Sequence, residues 1–145
     1  MGFPRYDLIL PHYGVGALTG LSRLCLETIR RYSQNYRLIF IDNGSPEFSL
    51  VEPEIRRHPH LLIRNTENVG FVRAVNQGLC SSLAERIVIL NNDIQAVPGW
   101  LGKLDAALVG QIGLAGPRTT AKSWQGLWAA GKGAVLLPRS AMLAF

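Results

Sequence analysis

The sequence predicts an α/β fold in which helices cover both faces of a mostly parallel, open sheet. Short, nearly continuous apolar runs alternate along the chain with longer segments in which apolar residues recur at helical spacing. Continuous apolar runs are typical of strands buried on both faces, and their alternation with helices predicts βαβ units. The chain has 145 residues, so we expect a single domain over residues 1–145.

The N-terminal half predicts three strands and one long helix. The strands are the apolar runs YDLILP, YRLIFID and LLIRN. A helix that starts near Leu18 has its apolar face at Leu21, Leu24, Cys25, Thr28, Ile29 and Tyr32. The segment SPEFSLVEPEIRRHP is polar and contains prolines, so it predicts at most one or two helical turns.

The C-terminal half continues the alternation with the apolar runs RIVIL, IGLAGP and KGAVLLP. The segment GFVRAVNQGLCSSLA predicts a helix with an apolar face at Phe71, Val72, Val75, Leu79 and Leu83. PGWLGKLDAALV predicts another helix with Pro98 near its first turn. RSAMLAF predicts the start of a last helix.

The composition argues against a disordered or membrane-spanning chain. Hydrophobic residues make up 48% and charged residues 17%, with a mean hydropathy of +0.14, which is typical of a packed globular domain. No segment reaches the roughly 18 apolar residues that a membrane-spanning helix needs, and the N-terminus lacks the apolar core of a signal peptide. We therefore expect a cytoplasmic protein, with peripheral attachment to the inner face of the membrane as an alternative.

The net charge of +5 and the pI of 9.7 favour an anionic partner, such as a nucleotide diphosphate or an acidic lipid. The basic residues are scattered, and no run is longer than the pairs Arg30-Arg31 and Arg56-Arg57, so we expect no nucleic-acid partner. Cys25 and Cys80 lie far apart in apolar helical patterns, which predicts buried, reduced thiols.

Polar residues gather at the carboxyl ends of the predicted strands, where open parallel sheets bind their ligands. They are His12 and Tyr13 after strand one, Asp42 and Asn43 after strand two, residues 65–68 after strand three, Asn91, Asn92 and Asp93 after strand four, and Arg118 after strand five. The opposite ends carry little beyond Arg5, Arg37 and Arg86. This concentration of polarity at one edge predicts a binding site there.

Each candidate also has a structural interpretation. Asp42 could cap a turn or accept a hydrogen bond from a base or ribose. Asn68 and Gly70 could start the next helix or expose backbone N–H groups to a ligand, and Asn76 could bond a nearby loop. Asp93 is the strongest candidate, because a carboxylate after a buried strand can hold a divalent cation with positions left open for diphosphate oxygens.

Three segments in order, FIDNGS, NTENVGFVRAVNQGL and IVILNNDIQAVPGWL, resemble the family-2 glycosyltransferases of the glycosyltransferase A fold. The likeness is closest to the rhamnosyltransferase-like branch, and GAVLLPRSAMLAF looks like a later segment of that family. The resemblance runs from about Asp7 to the end of the chain. It implies the Rossmann-like, nucleotide-binding portion of that fold and an inverting enzyme that transfers a sugar from a nucleotide-diphosphate sugar to an acceptor hydroxyl.

The resemblance also implies roles for the polar residues at the strand ends. Pro11 and Tyr13 would lie against the nucleobase or ribose, and Asp42 would accept a hydrogen bond from the base, with Asn43 beside it. The residues that would close over the nucleoside or support that region are Asn68, Gly70 and Asn76.

Asn91, Asn92 and Asp93 match the D-x-D position of the family in an N-N-D form. By this resemblance Asp93 would coordinate Mg2+ or Mn2+ at the diphosphate, while Asn91 and Asn92 would contact the sugar or ribose. The donor would be a UDP-, dTDP- or GDP-linked sugar. The acceptor would be a glycan, a lipid-linked molecule or another compound with a free hydroxyl.

The sequence assigns no catalytic base. In the family the base lies in an acidic segment after the counterpart of RSAMLAF, and this chain stops at Phe145. We therefore expect a truncated chain whose apolar terminus packs on a missing C-terminal portion or on a second copy in a homo-oligomer. Two alternatives stay open. One is a nucleotide-sugar-binding module without turnover. The other is a sugar-nucleotidyltransferase, because YGVGALTGLSR loosely resembles the glycine-rich first loop of those enzymes.

Overall fold

A five-stranded sheet forms the centre of the fold, with helices packed on it. The computed structural model describes residues 2–110, 113–116 and, as backbone alone, 134–138. The elements in these ranges are β1 (Tyr6–His12), α1 (Ala17–Tyr32), β2 (Tyr36–Asp42), α2 (Phe48–Ile55), β3 (His60–Arg64), α3 (Phe71–Ser81), β4 (Arg86–Leu90), α4 (Trp100–Ala106) and β5 (Ala134–Pro138).

The strand order is β3-β2-β1-β4-β5. Strands β1 to β4 pair in parallel, and β5 runs antiparallel to β4 at the edge of the sheet. The prediction of a mostly parallel, Rossmann-like open sheet is confirmed. The chain adds β2 and β3 on one side of β1 and then crosses to the other side to form β4, so the direction of sheet growth reverses at β1.

Alternate residues of the central strands pack against helices on opposite faces of the sheet. On one face Leu8 and Phe40 lie in a cluster with buried residues of α1, α2 and α4. On the other face Ile9 and Ile39 pack with Ala74 of α3. Each fully buried aliphatic side chain contributes roughly 1.5–3 kcal/mol. The two clusters therefore hold helices on both faces, as predicted.

Helix α3 buries only part of the apolar face that its sequence predicts. Val75 is buried as predicted, whereas Phe71 and Val72 are 53% and 69% exposed, so the prediction is wrong for those two residues. The buried residues of the helix are Ala74, Val75 and Gly78. Small residues face the sheet because the helix lies very close to β1: a Cβ added to Gly78 would be 2.5 Å from Cγ2 of Ile9.

Helix α1 also buries only part of its predicted face: Cys25 and Ile29 are buried, whereas Leu21 and Leu24 are exposed. Its buried residues are Thr19, Ser22, Cys25, Leu26 and Ile29. Cys25 is buried as predicted, whereas Cys80 is exposed on α3, so the predicted burial of Cys80 is wrong.

The strand predicted over IGLAGP is wrong for residues 113–116, where Ala115 makes an isolated bridge and no strand forms. Gly113 and Gly116 in this segment add backbone freedom and no side chain to pack, which weakens a strand. The run KGAVLLP does form a strand, β5. The predictions for Arg118 and for a helix over RSAMLAF lie outside the described residues.

The two short helices follow their predictions more closely. SPEFSLVEPEIRRHP contains the two turns of α2. Helix α4 begins at Trp100, because Gly99 at its N-cap has a left-handed φ of 73°, so Pro98 precedes the helix rather than lying in its first turn. No helix in the described part of the chain is long and apolar enough to cross a membrane.

A buried carboxylate ties together the amino ends of the strands. Asp7 accepts hydrogen bonds from Nε and Nη2 of Arg37, both at 2.9 Å, and from Ser82 Oγ at 2.8 Å. It also accepts the backbone N–H groups of Leu83 and Ala84 at 2.9 and 3.0 Å. Burial alone would raise the pKa of Asp7, but these donors outweigh it and hold the pKa below the ordinary aspartate value.

Two glycines inside helices offer a matched test of the close packing between α3 and β1. Gly78→Ala should destabilise the protein by about 1–3 kcal/mol, because its methyl group has no space. Gly20→Ala in α1 should stabilise it by about 0.5–1 kcal/mol, because nothing lies within 4 Å and alanine favours helix. Thermal denaturation of both variants checks this, and equal stabilisation by the two would contradict the packing.

Replacing Asp7 should cost more than replacing an exposed acid. Asp7→Asn turns one acceptor oxygen into a donor that faces other donors, so we expect a loss of about 3 kcal/mol at pH 7. The lowered pKa means that the wild-type carboxylate stabilises the fold above about pH 4 and loses this effect as the pH falls through its folded pKa. The difference between wild type and variant in urea denaturation should therefore shrink toward pH 3.

The control for Asp7 is Glu52→Gln, which breaks an exposed ion pair with Arg56 on α2. It should change the free energy of unfolding by less than about 0.5 kcal/mol. A wild-type-to-variant difference for Asp7→Asn that stays constant from pH 7 to pH 3 would show that the carboxylate charge is not the stabilising feature.

Candidate functional site

The carboxyl ends of β1 and β4 diverge at the point where the strand order reverses. β1 pairs with β4 only as far as Ile9–Ile89, but it continues beside β2 as far as His12–Asp42. Ligands of open parallel sheets bind at such a reversal, in the crevice outside the strand ends. Two loops border it here, residues 13–16 after β1 and residues 91–99 after β4.

The loop after β4 is fastened to helix α1. Asn92 Nδ2 donates to Ser22 Oγ at 3.1 Å, and the backbone N–H of Ala96 donates to Thr28 Oγ1 at 3.0 Å. The thiol of Cys25 makes a weaker contact of 3.8 Å with the backbone oxygen of Asn91. Small polar side chains of α1 thus hold the loop after β4 through hydrogen bonds.

Asp93 is the acidic residue of this loop. Its side chain is exposed, and no hydrogen bond or ion pair of residues 2–110 or 113–116 uses its carboxylate. Burial raises the pKa of the nearby Cys25 thiol to about 12, and the negative charge of Asp93 acts in the same direction. The loop therefore places beside the crevice a carboxylate that has no hydrogen-bond or ion-pair partner among the described residues.

The oxygen ligands that this loop offers fit a cation whose remaining ligands are phosphate oxygens and water. In the described ranges no three His, Cys, Asp or Glu side chains form a metal cluster. Asp93 offers hard carboxylate oxygens, and Asn92, which donates through Nδ2, keeps its amide oxygen as an acceptor. Mg2+ and comparable ions are commonly held by one or two carboxylates, with phosphate oxygens and water completing the shell. The residues present fit that case.

Asp42 is fully buried, and the protein itself bonds both of its oxygens. Oδ1 accepts the backbone N–H of Ser45 at 3.2 Å and lies 3.6 Å from His12 Nδ1, while Oδ2 accepts Arg64 Nε at 3.3 Å. The Arg64 guanidinium also stacks over the ring of Phe48 at 3.8 Å. The turn-capping interpretation of Asp42 thus describes this structure, and a base reaches the carboxylate only by displacing Arg64.

His12 is buried at the end of β1 beside Asp42. Its Nδ1 is 3.0 Å from Ser45 Oγ, and its Nε2 has no hydrogen-bond partner among the described residues. Burial lowers the pKa of His12, against an opposing effect from the Asp42 carboxylate. The ring is therefore neutral and fixed against the loop after β1.

An amide network joins the ends of β2 and β3 to the start of α3. Asn65 Nδ2 donates to Asn43 Oδ1 at 2.9 Å, and Asn65 and Gln77 bond each other twice, both times at 2.9 Å. Asn43 Nδ2 reaches the backbone oxygen of Gly70 at 3.4 Å, and Asn68 Oδ1 accepts the Gly70 N–H at 2.9 Å. Gln77 was not among the predicted residues, although its spacing from Gly70 places it on the same side of α3 two turns later.

The remaining predicted residues divide into two groups. Pro11 is buried in β1 beyond the last pair with β4, and Tyr13 follows it with 41% of its surface exposed, so both border the crevice. Asn76 is different, because it is exposed in the middle of α3 and makes no hydrogen bond within the described residues. The structure does not bring Asn76 to the other candidates, and its predicted bond to a loop is absent there.

A reversed strand order, a polar carboxyl edge and an acid after β4 with no partner among the described residues are the features with which open α/β sheets bind ligands at a switch point. Residues 9–124 match the family described as "Glycosyl transferase family 2". The match covers most of the sequence, so the chain belongs to glycosyl transferase family 2, and the resemblance noted from its motifs is confirmed. Among curated proteins no significant match was found.

Solved structures of glycosyltransferases share the fold. The mannosyltransferase PcManGT from Pyrobaculum calidifontis, in complex with GDP-Man and Mn2+, is 19% identical with a TM-score of 0.74, over 94% of this chain and 45% of that one. S. aureus TarS 1-349 is 14% identical with a TM-score of 0.67, over 97% and 48%. Its complex with UDP-GlcNAc aligns at 15% identity and a TM-score of 0.59, over 70% and 30%. The chain spans less than half the length of these proteins.

Proposed function

We propose that the chain, as one domain over residues 1–145, is the donor-binding portion of an inverting, metal-dependent glycosyltransferase. It would use a nucleotide-diphosphate sugar and transfer the sugar to an acceptor hydroxyl on a glycan, a lipid-linked molecule or a similar compound. The observation that carries the proposal is the free carboxylate of Asp93 at the switch point, in a loop that Ser22 and Thr28 of α1 hold in place. Membership of the family supplies the reaction class.

The nucleoside would lie across the ends of β1 and β2. Pro11 and the exposed Tyr13 offer an apolar and an aromatic surface for the base or ribose. Arg64 covers Asp42 in this structure, so an N–H of a base that replaces the guanidinium would find the same carboxylate oxygen. Asn43, Asn68 and Gly70, which the amide network already joins, would close the site over the nucleoside.

The diphosphate would lie toward β4, where Asp93 would hold Mg2+ or Mn2+ and Asn91 and Asn92 would contact the sugar or ribose. When bound, such a cation offsets the negative charge that grows on the leaving nucleoside diphosphate. PcManGT carries GDP-Man together with Mn2+, and TarS carries UDP-GlcNAc, which supports a donor of this class. The net charge of +5 also favours an anionic donor.

A second candidate function is a nucleotide-sugar-binding module without transfer. It is favoured by one observation: the chain spans 45% of PcManGT, so groups on the acceptor side need not lie in the shared part. The two candidates differ in one assay. Transfer of the sugar from a bound donor to an acceptor hydroxyl indicates the enzyme, and tight binding without transfer, with at most slow hydrolysis of the donor, indicates the module.

The proposal predicts that Asp93→Asn abolishes the metal dependence of donor binding. The change keeps the size of the side chain and removes its charge, so the dissociation constant in Mn2+ should rise at least about tenfold, about 1.4 kcal/mol. Without metal the variant and wild type should bind alike. Titration calorimetry with UDP-, dTDP- and GDP-sugars, with and without Mn2+, measures both quantities.

The matched control is Glu85→Gln, an exposed acid just before the amino end of the same strand, β4. It should leave donor affinity unchanged in both conditions. Metal-dependent binding that survives in Asp93→Asn would contradict the metal assignment, and the absence of binding by wild type with every donor would overturn the proposed function.

A further inference from the structure

The loop after β1 is held by side chains that come from the loop after β2. The backbone N–H of Gly14 donates to Ser45 Oγ at 2.9 Å, and that of Gly16 donates to Glu47 Oε2 at 3.0 Å. The same Glu47 oxygen accepts the hydroxyl of Thr19 at 2.5 Å. The backbone amides of Gly14 and Gly16 are thus each bonded by a side chain that lies 31 positions further along the chain.

The backbone shape of this loop depends on its two glycines. Gly14 is buried, and a Cβ added to it would be 2.6 Å from Cε1 and 2.7 Å from Nε2 of His12. The His12 ring is itself held by Ser45 Oγ at 3.0 Å. Gly16 has a left-handed φ of +58°, which side chains rarely adopt. Tyr13 lies directly before these fixed glycines, with its side chain exposed at the crevice.

Glu47 also changes the charge at the start of α1. The first N–H groups of a helix have no partner within the helix and carry a partial positive charge. Gly16, the N-cap of α1, has no side chain to bond them, and the Glu47 carboxylate lies at this helix end, where it accepts the Gly16 N–H and the Thr19 hydroxyl. The Glu47 carboxylate therefore stabilises the start of α1 and fastens the loop after β1 to it.

We propose that Ser45 and Glu47 are positioning residues for donor recognition: they fix the glycines of the loop after β1 so that Tyr13 is presented to the nucleoside. This inference rests on the proposed function. It assigns to Glu47 an indirect role, in which the carboxylate acts through Tyr13 and does not touch the donor. If the Glu47 contact had no role in recognition, its loss would destabilise the fold but would not change donor affinity through Tyr13.

The test compares Glu47→Ala, which removes the acceptor, with Glu47→Gln, which keeps an acceptor oxygen. Glu47→Ala should weaken donor binding about tenfold, the effect of losing a hydrogen bond to a charged group, and Glu47→Gln should restore affinity to within about threefold of wild type. Ser45→Ala removes the bonds to Gly14 and to His12 and is a second variant, which should also weaken donor binding. Glu52→Ala on the neighbouring helix α2 is the control and should bind as wild type does.

A double-mutant cycle separates positioning from general stabilisation. In a Tyr13→Ala background, Glu47→Ala should weaken binding by less than about twofold, because the group through which it acts is gone. Amide hydrogen exchange of Gly14 and Gly16 without donor should accelerate in Glu47→Ala and Ser45→Ala, while the exchange of β1 and β2 stays as in wild type.

The outcomes separate the positioning role of Ser45 and Glu47 from donor binding by the chain. If Glu47→Ala weakens donor binding by the same factor with and without Tyr13, the positioning role is overturned. Unchanged amide hydrogen exchange at both glycines would overturn it as well. Wild type that binds no donor would overturn the proposed function itself. Wild type that binds donor while Glu47→Ala and Ser45→Ala bind equally well would overturn this inference alone.

Discussion

The reversal of strand order at β1 is the constraint on which the rest of the site depends. β1 and β4 are neighbours in the sheet, yet their pairing stops at Ile9–Ile89 while β1 continues beside β2. The chain leaves the two strands in diverging loops, so backbone groups there lack strand partners and need others. Side chains of the adjoining loops and of α1 supply those partners, which explains the polar residues that follow each strand.

Most polar groups at this edge bond to one another. Asp42 and Glu47 are each bonded by hydrogen-bond donors of the protein, whereas Asp93 has no such partner among the described residues. A bonded carboxylate is a poor ligand for a cation, because its donors have to be displaced first. The acids after β2 therefore shape the site, and the acid after β4 is available to a ligand.

The fold class and the position of the candidate site could be predicted because both depend on local patterns. Apolar runs that end in polar residues identify the strand ends, and Asp93 with them. The bonds from Ser45 and Glu47 to the glycines of another loop join residues far apart in the chain, and no local pattern contains them. The burial of Gly78 on α3 escaped prediction for another reason: Gly78 packs closely because it is small, and hydropathy does not register that.

The central claim is that the donor binds in the crevice between the carboxyl ends of β1 and β4. An NMR titration of the isotope-labelled chain with UDP- and GDP-sugars and Mg2+ tests it most directly, because every backbone amide reports separately. The account predicts that the largest shift changes fall on residues 13–16 and 91–93, with little change at the amino ends of the strands. Shift changes confined to the opposite edge, around residues 31–35, would contradict it.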